Sequence, residues 1–330
     1  MNNMQRSFVT QKSYPVRGVF RISRSAKTQI DVIEVTVQDG AHFGRGECRP
    51  YARYDETPES VRDQIEALGN IVEKNISRDE LQNIMPAGAA RNAVDCALWD
   101  LEAKRQNRRV YEMAGLPKPA PLRTAFTLSL DTPNNMALAA QRARAFNCLK
   151  IKVAAKDAID CAKAVMNARP DAELIIDANE ALPPNKLLAF RRAFDGWPVL
   201  LIEQPFHADR PNLITQPDAL PIICADEALH TADDLERLWA QGYRAVNIKL
   251  DKCGGLTAGM ALMARAREMG FVTMAGCMVG SSLALAPMMM LAQFADVIDL
   301  DGPSLLATDY KNGLRYDGQI VHPPSRDLWG

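Results

Sequence analysis

The sequence predicts an α/β chain: a modified TIM (β/α)-barrel preceded by a smaller α+β N-terminal domain. Three observations predict it. From about residue 122, eight short apolar runs alternate with amphipathic stretches and recur roughly every 25 residues, the length of one strand-plus-helix unit. Before that point the pattern is different, with strict apolar/polar alternation around a hairpin signal. The chain of 330 residues also exceeds what a single core usually covers.

Residues 16 to 48 read as an antiparallel meander. Ile33, Val35 and Val37 alternate with Glu34 and Thr36, and Asp39-Gly40 is a turn signal. Thr57 followed by Pro58 gives a helix cap with proline at the first helical position, after which Val61, Ile65 and Leu68 recur at helical spacing. Ala90, Val94, Ala97, Leu98 and Leu101 carry a second helix. The eight runs that follow are TAFTLSL (124–130), LKIKV (149–153), LIIDAN (174–179), VLLIE (199–203), IICADE (222–227), AVNIKL (245–250), VTMAGC (272–277) and VIDLD (297–301). The strand-like run LRYDGQIV after Asp301 is expected to return to the N-terminal meander. The domain boundaries expected are therefore 1–121, joined by the tail 305–330, and 122–304 for the barrel.

Composition narrows the function classes. A hydrophobic share of 47% with 24% charged residues is that of an ordinary globular protein, which excludes disordered and fibrous classes. The formal net charge is −1 with both signs interspersed, so neither nucleic acid nor an anionic membrane is an expected partner. Seven cysteines, an odd set without a CxxC pair, suit reduced thiols in a cytoplasm. The opening MNNMQRSFVTQKSYPVRG has no apolar leader and no run of about 18 apolar residues occurs, so export and membrane spanning are not expected. A homo-oligomer is left open.

Barrel enzymes keep their chemistry at the C-terminal ends of the strands, and seven of the eight runs carry polar residues there. Asp177, Glu203 and Asp226 end the third, fourth and fifth runs, so three carboxylates from neighbouring strands converge at one mouth. Hard oxygen ligands suit Mg²⁺, with Mn²⁺ an acceptable substitute, at one ion per subunit. Any one of these acids alone is better read as a helix cap; three at equivalent positions favour the metal. Lys150 and Lys152 flank Ile151, so the period of two turns both inward, and Lys249 enters the barrel from the opposite side inside an apolar run. An inward lysine is costly unless partnered or neutral, which points to a tuned base rather than a surface charge. Lys252 is expected to face solvent. Asp299 and Asp301 end the eighth run as DLD; a clamp for a substrate ammonium group and a cap or salt bridge to Lys249 serve this pair equally well. The four histidines, His42, His207, His230 and His322, show no paired spacing, and no nucleotide-binding pattern occurs.

Taken together, GECRPY (46–51), KIK (150–152), DAN (177–179), EQP (203–205), ADE (225–227), NIKLDKCGG (247–255), CMVGS (277–281) and DLDGP (299–303) resemble the enolase superfamily. Within it they are most similar to the muconate-lactonizing branch and its dipeptide epimerases that act on L-Ala-D/L-Glu. The resemblance implies that the N-terminal region is a capping domain whose loops close the barrel mouth. It implies Asp177, Glu203 and Asp226 as metal ligands, Lys152 and Lys249 as the acid/base pair, and Lys150 as an auxiliary cation. Asp299 and Asp301 would hold a substrate ammonium, Arg24 in FRISR would meet a glutamate side-chain carboxylate with Arg49 or Arg53 as substitutes, and Cys277, Met278 and Val279 would line the pocket. The implied reaction is metal-assisted 1,1-proton transfer at the glutamate α-carbon through an enediolate, in the reuse of cell-wall peptides. The implied lever on the two lysines is like-charge repulsion, which lowers their pKa so that one is neutral while the other is an ammonium. The rivals are an epimerase for another dipeptide, an o-succinylbenzoate synthase or muconate cycloisomerase type of enzyme, whose substrates carry no ammonium for DLD, and a non-catalytic binding protein.

Overall fold

The computed structural model of the chain describes residues 5–71, 73–210 and 212–330; residues 1–4, the head of the stretch read as lacking a leader, lie outside the described residues. The chain opens on β1 (Gln5–Ile22), β2 (Ser25–Asp39) and β3 (His42–Cys48), an antiparallel sheet in that order. The Asp39-Gly40 signal closes the hairpin it predicts, since Asp39 pairs with His42 and Gly40 takes φ +59°. Ile33, Val35 and Val37 are fully buried, as their alternation requires, against α1 (Pro58–Glu66) and α3 (Ala89–Gln106). Thr57 caps α1 by accepting from Ser60 N, and Ser60 Oγ accepts in return from Thr57 N. Between them lies α2 (Arg78–Ile84), capped by Ser77 and absent from the sequence reading, because only Leu81 of its seven residues is buried.

The approach of α3 to β3 explains two glycines. A Cβ on Gly44 would stand 2.1 Å from Ala97 O, and one on Gly46 2.1 Å from Ala93 O. Only a bare backbone lets the helix settle there, and that settling sets the end of β3, from which Glu47, Arg49 and Tyr51 reach the barrel.

After β4 (Leu122–Arg123) come β5 (Phe126–Leu128), β6 (Cys148–Lys152), β7 (Glu173–Asp177), β8 (Val199–Glu203), β9 (Ile222–Ala225), β10 (Ala245–Ile248), β11 (Val272–Gly276) and β12 (Val297–Asp299). Each of the eight predicted runs coincides with one of these strands, β6 and β7 starting one residue earlier than predicted, and the strands neighbour one another in sequence order in one sheet. Closure follows from Ala125 N donating to Ile298 O (2.9 Å) and Leu300 N to Thr124 Oγ1 (2.8 Å), which join the first strand to the last. Ala125, Cys148, Ile175, Leu201, Cys224, Ala245 and Met274 pack as a layer inside, with Val297 against it. Two residues further along, the interior turns polar on seven of the eight strands, with Thr127, Lys150, Asp177, Glu203, Asp226, Asn247 and Asp299, while the remaining one carries Gly276. The apolar floor and the polar mouth are thus successive layers of one period-two pattern.

The tail departs from the expected course. LRYDGQIV forms the hairpin β13 (Tyr316–Asp317) and β14 (Ile320–Val321), which pairs with β4 rather than with the meander. Each arm is two residues deep around Gly318 at φ +58°, too short to extend the long meander, and β4 offers an edge of equal length. Beyond it the chain does reach the N-terminal unit: Trp329 Nε1 donates to Cys96 O (3.0 Å), and Arg45 donates to the carbonyls of Asp327 and Leu328. Among the described residues no helix is long and apolar enough to cross a membrane.

Candidate active site

Asp177 and Glu203 close β7 and β8, and Asp226 follows β9 directly. Their carboxylate oxygens lie within 4.8 Å of one another, and all three side chains are buried. Lysines surround them. Lys150 Nζ lies 2.7 Å from Glu203 Oε2, 2.8 Å from Asp299 Oδ2 and 3.2 Å from Asp177 Oδ2. Lys152 Nζ reaches Asp177 Oδ2 at 2.5 Å, and Lys249 Nζ reaches Asp226 Oδ2 at 2.6 Å. Lys252 does not face solvent as expected; it is 1% exposed and donates to Asp226 Oδ1 (2.6 Å) and Asn247 O (3.0 Å). The reason is local. After Lys249 the chain turns into the helix Leu250–Cys253, so a residue three further on returns to the same side.

The charge balance leaves room for a cation. Burial acts to raise the Asp177 carboxyl, but Lys152 and Lys150 overcome it and hold it at about 2. Burial also opposes ionisation of Asp226, and Lys249 with Lys252 pull it well below the usual carboxylate range. Glu203 loses that contest, pushed up to about 8 by burial and then by the Asp177 charge. Its Oε2 has no hydrogen bond of acceptable geometry, although Lys150 is close enough for an ion pair. Three buried carboxylates, one of them held less readily ionised by the others and with an oxygen that has no hydrogen bond among the described residues, are a donor set that fits a hard divalent cation. Behind them, Asn247 Nδ2 donates to Glu203 Oε1 (2.7 Å), and Gln204 Oε1 accepts from Asp226 N (2.9 Å) and Ala228 N (3.1 Å), fixing the carboxylates from outside. A Cβ on Gly276 would stand 2.2 Å from Asn247 Oδ1, so that glycine leaves space for the amide.

A small cavity opens above this layer. Lys152 from β6 and Lys249 after β10 both line it, and β7, β8 and β9 separate the two strands, so the amines approach from opposite sides. Burial lowers the Lys249 pKa while Asp226 raises it, and Asp226 prevails. The depression expected from Mg²⁺ and Lys150 together has its Lys150 part here, since that ammonium lowers the Lys249 pKa, and within the protein's own charges the carboxylate of Asp226 outweighs it. Cys277, Met278 and Val279 form one wall. Phe20, Ile22, Ser25 and Lys27 of the β1–β2 hairpin, with Arg49, Tyr51 and Tyr54, form the roof.

Asp299 and Asp301 are both buried. Asp299 Oδ2 is held by Lys150, while its Oδ1 is buried with no hydrogen-bond partner among the described residues. Asp301 Oδ2 accepts from Thr127 N (2.5 Å), and burial followed by the Asp299 charge pushes its carboxyl up to about 7. Arg24 stands at the rim instead of lining this cavity: it donates to Glu180 Oε2 (2.6 Å), Asn179 O (2.9 Å) and Glu227 Oε1 (2.7 Å). Asn247, Gln204 and Glu227 were not singled out from the sequence, although each lies inside a motif that was. Asn247 precedes Lys249 by two residues, and that spacing alone places it on the inner face.

A model of the mandelate racemase / muconate lactonizing enzyme N-terminal domain matches residues 4–115, and an enolase C-terminal domain-like model matches residues 135–326. The chain is 39% identical over 317 residues, 95% of its length and 98% of the relative's, to an L-Ala-D/L-Glu epimerase of Escherichia coli (strain K12). It is 43% identical over 303 residues, 91% of its length and 95% of the relative's, to an N-acetyl-D-glutamate racemase of Pseudoalteromonas sp. Among solved structures it resembles an enolase family member from Agrobacterium tumefaciens with homology to dipeptide epimerases, with bound sodium, L-Ala-L-Glu and an ordered loop. That likeness has a TM-score of 0.94 and 42% identity, and covers 99% of this chain and 100% of the other.

Proposed function

The chain belongs to the mandelate racemase / muconate lactonizing enzyme family of the enolase superfamily, and from that membership we propose that it is an L-Ala-D/L-Glu epimerase. One observation carries the reading: two buried lysines from opposite sides of the barrel line one cavity, each ion-paired to a different carboxylate of the acidic triad. A single base would exchange a proton on one face of a carbon; two facing bases exchange it between faces, which inverts the centre.

Asp177, Glu203 and Asp226 would hold Mg²⁺, which when bound would supply positive charge for the substrate's α-carboxylate. The protein's own residues do the rest. Lys152 and Lys249 hold and move the proton at their Nζ atoms, exchanging roles between the two diastereomers. Lys150 adds a second cation beside the triad, so charge that develops on the carboxylate oxygens meets a fixed counter-charge. Asp299 Oδ1, buried and without a hydrogen-bond partner among the described residues, and Asp301, whose carboxyl burial and the Asp299 charge push upward, are served by a substrate ammonium. Cys277, Met278 and Val279 would pack against the dipeptide. The cap taken as 1–121 with 305–330, over a barrel of 122–304, would keep water out while the proton is in transfer. A cytoplasmic place of action suits seven cysteines that are all unpaired.

A second reading has its own support. The 43% identity to an N-acetyl-D-glutamate racemase makes N-acetylglutamate a candidate substrate, and it shares with L-Ala-Glu an acylated glutamate. The two differ at the ammonium, hence at the DLD pair. Chiral chromatography of L-Ala-L-Glu and of N-acetyl-L-glutamate after incubation with the Mg²⁺-loaded protein tests both. Formation of L-Ala-D-Glu at the higher kcat/KM supports the epimerase; preferential formation of N-acetyl-D-glutamate replaces it with the racemase. Turnover of neither overturns both.

A further inference from the structure

The two lysines that face the cavity are held by different means. Lys152 is the last residue of β6 and pairs in register with Asp177 of β7. The segment after it is held from within the barrel, Val153 N donating to Asp177 O (3.0 Å). Lys249 has no such ladder. The pairing of β10 with its neighbours stops at Ile248, and the chain turns at once into the helix Leu250–Cys253. Where the Lys249 amine points therefore depends on what grips that turn.

The grip comes from α3 of the N-terminal unit. Asp251 is 8% exposed, and its Oδ1 accepts from Asn92 Nδ2 (2.8 Å) and from Arg49 N (3.1 Å). Arg91 donates to Cys253 O (2.7 Å) and Gly254 O (3.2 Å), carbonyls that the end of so short a helix leaves open. One turn further along α3, Asp95 Oδ2 accepts from Thr257 N (3.0 Å), and one turn beyond that Trp99 Nε1 donates to Thr257 Oγ1 (2.9 Å). A single stripe of α3 thus follows the chain from Asp251 to Thr257. The steric fit matches the polar one: a Cβ on Gly254 would stand 2.3 Å from Arg91 Nε, and one on Gly255 2.6 Å from Asp95 Cβ.

We infer that α3 aims one base and not the other: Asn92, acting through Asp251, is a positioning residue for Lys249, while Lys152 is set by the barrel alone. This rests on the epimerase reading and makes the capping domain responsible for the balance between the two faces of the α-carbon. A displacement of about 1 Å at a reacting group costs roughly a hundredfold in rate, so a loosened turn shows itself at Lys249 first.

The test is proton NMR in deuterated water on Mg²⁺-loaded protein, with initial rates of α-deuteration and of inversion measured from L-Ala-L-Glu and from L-Ala-D-Glu. Lys249→Ala identifies the diastereomer whose proton Lys249 removes. In Asn92→Ala, deuteration of that diastereomer falls about tenfold to a hundredfold. Deuteration of the other holds while its inversion falls, because Lys152 still removes its proton but Lys249 has to supply the new one. Asp251→Asn keeps an oxygen for one donor, gives the same pattern more weakly, and decides the matter should Asn92→Ala fail to fold. A merely structural contact would slow deuteration of both diastereomers in parallel. That result, wild-type rates on both, or a loss confined to the Lys152-dependent diastereomer overturns the assignment. The epimerase reading fails differently, through wild-type protein that neither deuterates nor inverts either dipeptide, and the assignment then falls with it.

Discussion

Replacing Asp301 by Asn removes one charge from the end of β12 and little else. The Asp301 Oδ2 acceptor for Thr127 N has a counterpart in the amide oxygen, so the seam between β5 and β12 keeps its hydrogen bond. Asp299 is the poorer choice, because its Oδ2 also holds Lys150. What the amide cannot supply is a negative charge for an ammonium. A buried hydrogen bond to a charged group contributes about 1.5–3 kcal/mol, and tenfold in rate corresponds to about 1.4 kcal/mol. On L-Ala-L-Glu, kcat/KM should therefore fall about 10- to 150-fold. N-acetyl-L-glutamate has the same α-carbon, both carboxylates and the acylated nitrogen but no ammonium, so its kcat/KM should move by less than about threefold. Both are followed by chiral chromatography under one set of conditions. Equal losses on the two substrates would refute the reasoning and assign Asp301 to holding the barrel seam. No loss on either would remove it from the site altogether.

Lys252→Met takes from Asp226 a partner that is 1% exposed. Breaking such a buried pair costs about 3–5 kcal/mol, which for a chain of this size lowers Tm by about 4–7 °C; calorimetry that found Tm unchanged would show that Lys249 alone suffices. Gly44→Ala puts a methyl group 2.1 Å from Ala97 O, and α3 has to lift from β3. Overpacking of that kind costs about 1–3 kcal/mol, read as a lower urea midpoint, and a wild-type midpoint would mean the helix shifts freely. Glu47 is buried, accepting from Ser281 N and Oγ, and burial raises its carboxyl from 4.5 to about 8. A raised carboxyl binds more protons in the folded state, so its contribution is fully present below pH 4.5 and is lost as pH rises towards about 8. Across that window the loss is roughly 5 kcal/mol at most. Glu47→Gln should thus gain on the wild type in Tm as pH rises through the window, and a difference in Tm independent of pH would contradict the assignment.

The barrel was legible because parallel strands covered on both faces must be apolar almost throughout, which makes LKIKV or VLLIE stand out from amphipathic surroundings. The acidic triad was legible for the complementary reason: an acid at the end of such a run has little to do in a core. Where the reading failed, the period had changed without a marker. Lys252 was judged by the strand rhythm of Lys249, but the chain had already become helical at Leu250. The tail was assigned to the meander on strand propensity alone, and partner choice depends on edge length, which propensity does not encode. Arg24 shows a different limit. A basic residue in a capping hairpin can be located in sequence, yet whether its charge is spent on Glu180 and Glu227 depends on loops far away in the chain.

The two-lysine mechanism is tested most directly by proton NMR of L-Ala-L-Glu and L-Ala-D-Glu in deuterated water, with Mg²⁺ and the wild type, Lys152→Ala or Lys249→Ala. The wild type should exchange the glutamate α-proton of both diastereomers while interconverting them. Each variant should lose interconversion yet still exchange one diastereomer, and the two variants should be complementary in which one. Continued epimerisation by either variant, or loss of exchange from the same diastereomer in both, would contradict opposed bases at one α-carbon.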